Sequence, residues 1–286
     1  MMHKIRETYT RKLRKLFNHY SYQVSVSSVL DGGLRGNIYV DDPKEPRTSL
    51  LMTTEGAFLA GDPENREFNA DLSECLENII QTGKHPIDPR SDDLWFYIDR
   101  SEWETSFPQI FTSRVPFKVG RIHYSCVKPA YDWRRHIKKG YMIHRADRSL
   151  DTDSLSYPKD VWERVGKRLE ELLERGFGAV LTKDNEVVSW STADCASGDR
   201  CEIGIITTEE ERRKGFGSMT AAAALDTCLQ LGFKEVGWHC EAHNRGSIAT
   251  AAKIGFKKKT DYYMWICKFD LEQHLKEKPI VEKYYP

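Results

Sequence analysis

The run Arg212-Arg213-Lys214-Gly215-Phe216-Gly217 sets three cations in a row ahead of two glycines, a combination suited to holding an anion. The apolar segment Ile203-Gly204-Ile205-Ile206 precedes it and reads as a buried strand, and beyond the Thr207 to Glu211 turn a small-residue helix begins near Phe216. Glycines at 215 and 217 let the backbone come close to a ligand, the amides of the first helical turn have no partner inside the helix, and the macrodipole adds partial positive charge. The matching guest is a phosphate or pyrophosphate, to which Ser218 would add a hydroxyl. Like charges crowded at a helix start repel by a few tenths to about 1 kcal/mol each, and a bound anion relieves this. Two nucleotide fingerprints do not fit. G-x-x-x-x-G-K-[ST] fails because Ser218 follows Gly217, and G-x-G-x-x-G fails because Thr220 stands in the third glycine position.

The elements that must position this loop are legible on both sides. Upstream, Phe177 to Thr182, the turn Lys183-Asp184-Asn185-Glu186, Val187 to Ala193 and Cys201 to Thr207 read as antiparallel strands with short connections. Downstream come an alanine-rich helix from Phe216 to Leu231 closed by Gly232, a strand from Glu235 to Glu241, Asn244-Arg245-Gly246-Ser247-Ile248, a further helix, and Lys253-Ile254-Gly255-Phe256. The spacing R-x-x-G-x-G resembles the coenzyme A pyrophosphate loop of the GNAT acyltransferase superfamily, and N-x-x-[AS] followed by a helix ending in K-x-G-F resembles its second motif. Tyr141 to Phe269 resembles one complete GNAT domain. The expected fold is α+β, with a central mixed, mostly antiparallel sheet flanked by helices and preceded by a second, smaller α+β domain.

The resemblance implies an acyl-CoA-dependent N-acyltransferase, with acetyl-CoA as cosubstrate, a primary amine as acceptor and no metal. It implies that the strand before the loop splays from the next one. The coenzyme would then contact main-chain groups of Ile205, Ile206 and Thr207, the loop residues Arg212, Arg213, Lys214, Gly215, Phe216, Gly217 and Ser218, and the side chains of Asn244 and Ser247. Gly204 is read either as a bulge opening the strand ladder or as room for a bulky neighbour. An amide near Ile205 or Ile206 would stabilise an oxyanion, an effect typically worth about 3 kcal/mol. The alternative reading of Asn244 is a helix cap or turn residue, and Ser247 reads as a helix cap or a coenzyme contact.

The catalytic groups follow the family less closely. Many GNAT enzymes have a proton-donating tyrosine four residues before the glycine of K-x-G-F, and here that position is Ala251. Ser247, Tyr262, Tyr263 or water would have to donate instead, with Tyr262 and Tyr263 also readable as strand residues. Glu202, on the strand before the loop, is the first candidate for the base; Glu241 and His239 lie on the next strand, and either His239 or Cys240 should face the cleft.

In the first half, Met1 to Tyr20 reads as an amphipathic helix with Ile5, Tyr9, Leu13, Leu16, Phe17 and Tyr20 on one face. Strands follow at Asn37 to Val40, Thr48 to Thr53 and Ala57 to Ala60, then a helix to Thr82, a strand from Leu94 to Ile98, a helix opened by a Ser101 and Glu104 capping box, and a strand from Val115 to Tyr124. This order resembles a GNAT fold without its loop, either a degenerate second copy or an unrelated cap. The boundary is placed so that 1–131 and 132–286 form the two domains. Pro158 to Arg175 reads as a helix of the second, and Leu150 to Tyr157 as an acceptor-side loop.

The chain has 286 residues, enough for about two domains, and its 43 basic and 43 acidic residues balance, which argues against bulk attraction to nucleic acid or anionic membrane. No apolar run approaches the roughly 20 residues needed to cross a bilayer. Seven cysteines without a C-x-x-C pair suit reduced thiols and a cytoplasmic protein. Two rivals remain: a noncatalytic acyl-CoA sensor, suggested by Ala251, and a nucleic-acid or protein-binding module using the first helix and Lys257-Lys258-Lys259.

Overall fold

A computed structural model of the chain describes residues 1–5, 10–89, 91–166 and 169–285. In chain order the strands are β1 (His3–Ile5), β2 (Asn37–Val40), β3 (Thr48–Thr53), β4 (Gly56–Gly61), β5 (Asp93–Ile98), β6 (Phe117–Cys126), β7 (Tyr141–Ala146), β8 (Phe177–Lys183), β9 (Glu186–Ser197), β10 (Arg200–Thr207), β11 (Glu235–Glu241) and β12 (Lys257–Lys268). The α-helices are α1 (Thr10–Leu16), α2 (Val24–Leu30), α3 (Arg66–Thr82), α4 (Phe107–Ile110), α5 (Lys159–Val165), α6 (Leu169–Arg175), α7 (Phe216–Gln230), α8 (Arg245–Ile254) and α9 (Leu271–Glu282). Two compact units result, one from Met1–Arg121 with Tyr262–Pro286, the other from Ile122–Asp261.

In the second unit β7, β8, β9 and β10 pair antiparallel in sequence order, and β11 joins parallel to β10. The hairpin between β8 and β9 turns at Asp184 and Asn185, both at positive φ, the backbone twist that two-residue hairpins require. Helix α7 makes the crossover to the parallel strand. Its run Ala221-Ala222-Ala223-Ala224-Leu225 is buried against Cys201 and Ile203 of β10 and Val236 and Trp238 of β11. Alanines allow a close approach of helix to sheet. On other strand positions Val161 and Val165 of α5 and Leu172 of α6 pack with Val180 of β8 and with Val187 and Trp190 of β9.

The first unit repeats the pairing order. Strands β1 to β4 are antiparallel neighbours, α3 crosses over, and β5 lies parallel to β4. Two details differ from the second unit. The start of α3 is capped by Asn65, whose side chain accepts from the Phe68 N–H at 3.2 Å. The end of β4 is tied to the chain after β5, since Asp99 gives its N–H to the Leu59 carbonyl at 3.1 Å and accepts the Gly61 N–H on its carboxylate at 3.1 Å.

Several expectations are corrected. Met1 to Tyr20 is not one helix: His3–Ile5 pairs with β2, which satisfies that strand's edge, and the described helix begins at Thr10. Leu13, Phe17 and Tyr20 are buried as expected, whereas Tyr9 lies outside the described residues. No capping box forms at Ser101; the segment Ser101–Ser106 is a 3-10 turn, and α4 starts with Pro108 in its first turn, where a missing N–H costs no bond. Within the expected Pro158 to Arg175 helix the described residues form α5 and α6. The chain returns to the first unit at Tyr262 because Trp265–Lys268 pairs with Asp93–Phe96 of β5, so the tail that the sequence assigned to the second domain packs in the first.

Candidate functional site

Strands β10 and β11 pair only at Arg200↔Glu235, Cys201↔Val236 and Glu202↔Gly237, while β10 stays on β9 as far as Thr207↔Ser189. Past Glu202 one edge of β10 is therefore open among the described residues. The cause is local: the β9–β10 register shifts between Glu202 and Ile203, where Asp194 is the additional residue, and a bulge bends and twists the strand. The bulge is thus not at Gly204, which sits in register with Thr192. A Cβ there would meet nothing within 4 Å, so neither sequence reading of Gly204 holds; it faces open space. The Thr208 N–H goes to the Val188 carbonyl, and Ser189 and Ser191 hydroxyls donate to the carbonyls of Ile206 and Gly204. Alternation along the strand then directs the main-chain groups of Ile205 and Thr207 to the open edge and those of Ile206 toward β9.

That edge leads to the start of α7. Gly215, at φ 88°, is the residue before the helix and supplies no side-chain cap. A left-handed backbone there is natural only for glycine. The first helical bond is Met219 N–H to the Gly215 carbonyl, so the amides of Phe216, Gly217 and Ser218 remain available to a ligand. Gly217 is closely packed: a Cβ would lie 2.9 Å from the Thr207 hydroxyl, which would have to shift. Arg212 is paired with Glu209 at 3.4 Å and Lys214 with Glu211 at 3.0 Å, which offsets much of the repulsion expected from sequence. Arg213 has no acidic partner among the described residues, and its own φ is 62°. Phe216 is buried, stacked on Tyr141 at 4.5 Å, and Ser218 is buried. The sequence reading did not single out Lys253, whose ammonium lies 4.0 Å from a Cβ built on Gly215 and 4.8 Å over the Tyr131 ring. It is the lysine of the K-x-G-F tail.

At the other end of the open edge, where the strands part, Glu202 meets His239. Its Oε1 is 2.9 Å from His239 Nε2, and both side chains are 11% exposed. The Cys195 thiol donates to Oε2 at 3.5 Å. His123 of β6 stacks on His239, with ring centroids 4.6 Å apart and planes at 15°. Burial first, then the neighbouring His239, push His123 down to about 4 against the opposing pull of Glu202 and Glu235, with Lys259 lowering it slightly further. Gly237 makes room for this cluster, because a Cβ there would lie 2.7 Å from Glu202 Cγ. A carboxylate held this way, in a nearly buried setting, is fit to accept a proton. Cys240 is buried in the core with Trp238, and Glu241 is paired with His243 at 3.2 Å.

Asn244 acts as the cap of α8, accepting the Ser247 N–H on its side-chain oxygen at 3.0 Å. Ser247 Oγ in turn accepts the Trp238 indole N–H at 3.0 Å. Ala251 is fully buried in the core beside these residues. Tyr262 is in the first unit, its ring 5.0 Å from Tyr22 and 6.2 Å from Tyr97, its hydroxyl accepting from Arg121 at 3.4 Å. It therefore does not share a unit with Glu202 and Ser247. Tyr263 is half exposed, with Lys118 4.4 Å over its ring. Among the described residues no His, Cys, Asp and Glu group is arranged to hold a metal ion, and no helix is long and apolar enough to cross a membrane.

A family model described as GNAT acetyltransferase matches residues 14–265. The chain belongs to the GNAT acetyltransferase family. An uncharacterized N-acetyltransferase of Bacillus subtilis, YdfB, is 26% identical over 254 residues, covering 88% of this chain and 94% of that protein. Among solved structures, a GCN5-related N-acetyltransferase-like protein from Streptococcus suis superposes with a TM-score of 0.64 at 21% identity, covering 89% of this chain and 96% of that one. A tandem GNAT protein from the clavulanic acid biosynthesis pathway superposes with a TM-score of 0.52 at 10% identity, covering 94% and 99%. At these identities the structural likenesses speak for the fold: this GNAT chain shares it along nearly its whole length.

Proposed function

We propose that the second unit transfers an acetyl group from acetyl-CoA to a primary amine. The observation that carries this reading is the parting of β10 from β11 after Glu202↔Gly237, which leaves an open strand edge running from a nearly buried carboxylate to the uncapped start of a helix. The residues fit the coenzyme: the amides of Phe216, Gly217 and Ser218, with Arg213 and Lys253 beside them, suit its pyrophosphate. The main-chain groups of Ile205 and Thr207 suit its pantetheine arm as an added strand. When bound, the coenzyme supplies an activated acyl carbonyl. Glu202, held by His239, accepts the proton of the attacking amine, and the neutral His123 behind them adds no competing positive charge. With Ala251 in place of the family tyrosine, Ser247 on α8 is the proposed donor, since its oxygen, already accepting from Trp238, leaves its proton to donate. Asn244 contributes by fixing the first turn of α8.

The first unit is proposed to be a GNAT-like copy without this chemistry. The Asn65 cap occupies the helix start and the Asp99 bonds close the strand end that the second unit leaves open. Calorimetric titration with acetyl-CoA, coenzyme A and ATP tests the site, followed by thiol release over a panel of primary amines. Micromolar binding of both coenzymes and amine-dependent thiol release are expected. Absence of coenzyme binding refutes the reading, and binding without thiol release for any amine replaces it with a noncatalytic acyl-CoA sensor.

A further inference from the structure

Glu202 occupies the last position at which β10 and β11 are hydrogen-bonded, and His239 lies two residues beyond that point on β11. Their 2.9 Å contact therefore bridges the strands where the backbone ladder has stopped. A glutamate side chain has three torsions and, at the mouth of a gap, samples several positions unless something holds it. Here one oxygen faces His239 Nε2 and the other accepts from the Cys195 thiol. With the carboxylate ionised, the proton on Nε2 must point at it, since an imidazole lone pair facing an anion would be repelled. The near-parallel stack with His123, at 4.6 Å and 15°, keeps the His239 ring from turning away.

We propose that His239 is a positioning residue for the acetyl transfer, fixing Glu202 as the proton acceptor, and that His123 supports it by stacking. The inference rests on the reading of the open edge as the acyl-transfer site. In the step concerned, the amine nitrogen bonds to the acyl carbon, the carbon–sulfur bond breaks with its electron pair on sulfur, and the amine proton passes to Glu202 and then to solvent. His239 keeps its own proton throughout. Around this pair, Cys195 of β9 meets Glu202 and His123 of β6 stacks on His239, while Glu235 of β11 and Lys259 of β12 act on His123.

The test uses the full chain and two variants. His239→Phe keeps a ring to stack on His123 but loses the N–H; His239→Gln keeps an N–H at similar reach. Carboxyl 13C NMR, with the Glu202 signal identified by its loss in Glu202→Gln, reads the Glu202 titration without coenzyme. Removing a donor to a carboxylate raises its pKa, so the midpoint in His239→Phe should rise by about one unit or more and that in His239→Gln should stay near wild type. In the thiol-release assay kcat/KM for the amine should fall about a hundredfold in His239→Phe, with the acetyl-CoA KM unchanged and recovery in His239→Gln. An unmoved midpoint, or equal transfer rates in both variants and wild type, overturns the proposal. Wild-type protein that binds no acetyl-CoA refutes the acyl-transfer reading and the positioning role with it, while the NMR midpoint still decides whether His239 holds Glu202.

Discussion

Acidification should destabilise this protein through His123, and the amount follows from its surroundings. The ring is 7% exposed, stacked on His239, and pushed from the ordinary 6.5 down to about 4 chiefly by burial. Because the folded value lies below the unfolded one, the folded chain refuses between those pH values a proton that the unfolded chain binds. The contribution to stability is complete above about 6.5 and is lost progressively as pH falls toward 4. At about 1.36 kcal/mol per unit the shift amounts to about 3 kcal/mol, a large share of a marginal stability. Replacing His123 by Phe keeps an aromatic stack and removes the titration. Urea denaturation followed by tryptophan fluorescence, run from pH 7.5 to 4 on both proteins, should show the stability difference moving by about 3 kcal/mol in favour of the variant. His85 and His274, also lowered by burial, are present in both proteins and cancel. Parallel curves for the two proteins would refute the argument.

Gly217→Val should abolish acetyl-CoA binding in calorimetry, because its side chain must displace the Thr207 hydroxyl from the end of β10; unchanged affinity would remove the loop from the site. Arg213→Ala should weaken coenzyme binding about tenfold and flatten its salt dependence, as expected for a cation without an acidic partner among the described residues, whereas Arg212→Ala should do less because Glu209 already engages that side chain. Asn244→Ala should cost about 1 kcal/mol of stability in urea denaturation by exposing the start of α8. Asn65→Ala should cost a similar amount in the first unit and leave acetyl-CoA affinity at the wild-type value.

Local chemistry was legible in the sequence because it depends on neighbours along the chain. The alternation of β8 to β10, the alanine-rich helix after Gly215, the cation-and-glycine loop and the N-x-x-S motif at Asn244 are all short-range patterns, and by themselves they point to the GNAT fold. What the sequence left open depends on distant partners. Glu202 and His239 are 37 positions apart, so their contact leaves no pattern in the sequence. His123, from a strand outside the expected second domain, had no signal in the sequence, because stacking leaves no periodic trace. Tyr262 shows the converse: it lies just beyond a GNAT motif, but pairing of β12 with β5 carries it into the first unit. The composition of Ile203-Gly204-Ile205-Ile206 marks a strand, yet where its ladder stops is set by a register shift opposite Asp194. Strand identity is a property of the segment, whereas its register and its partner are properties of the whole chain.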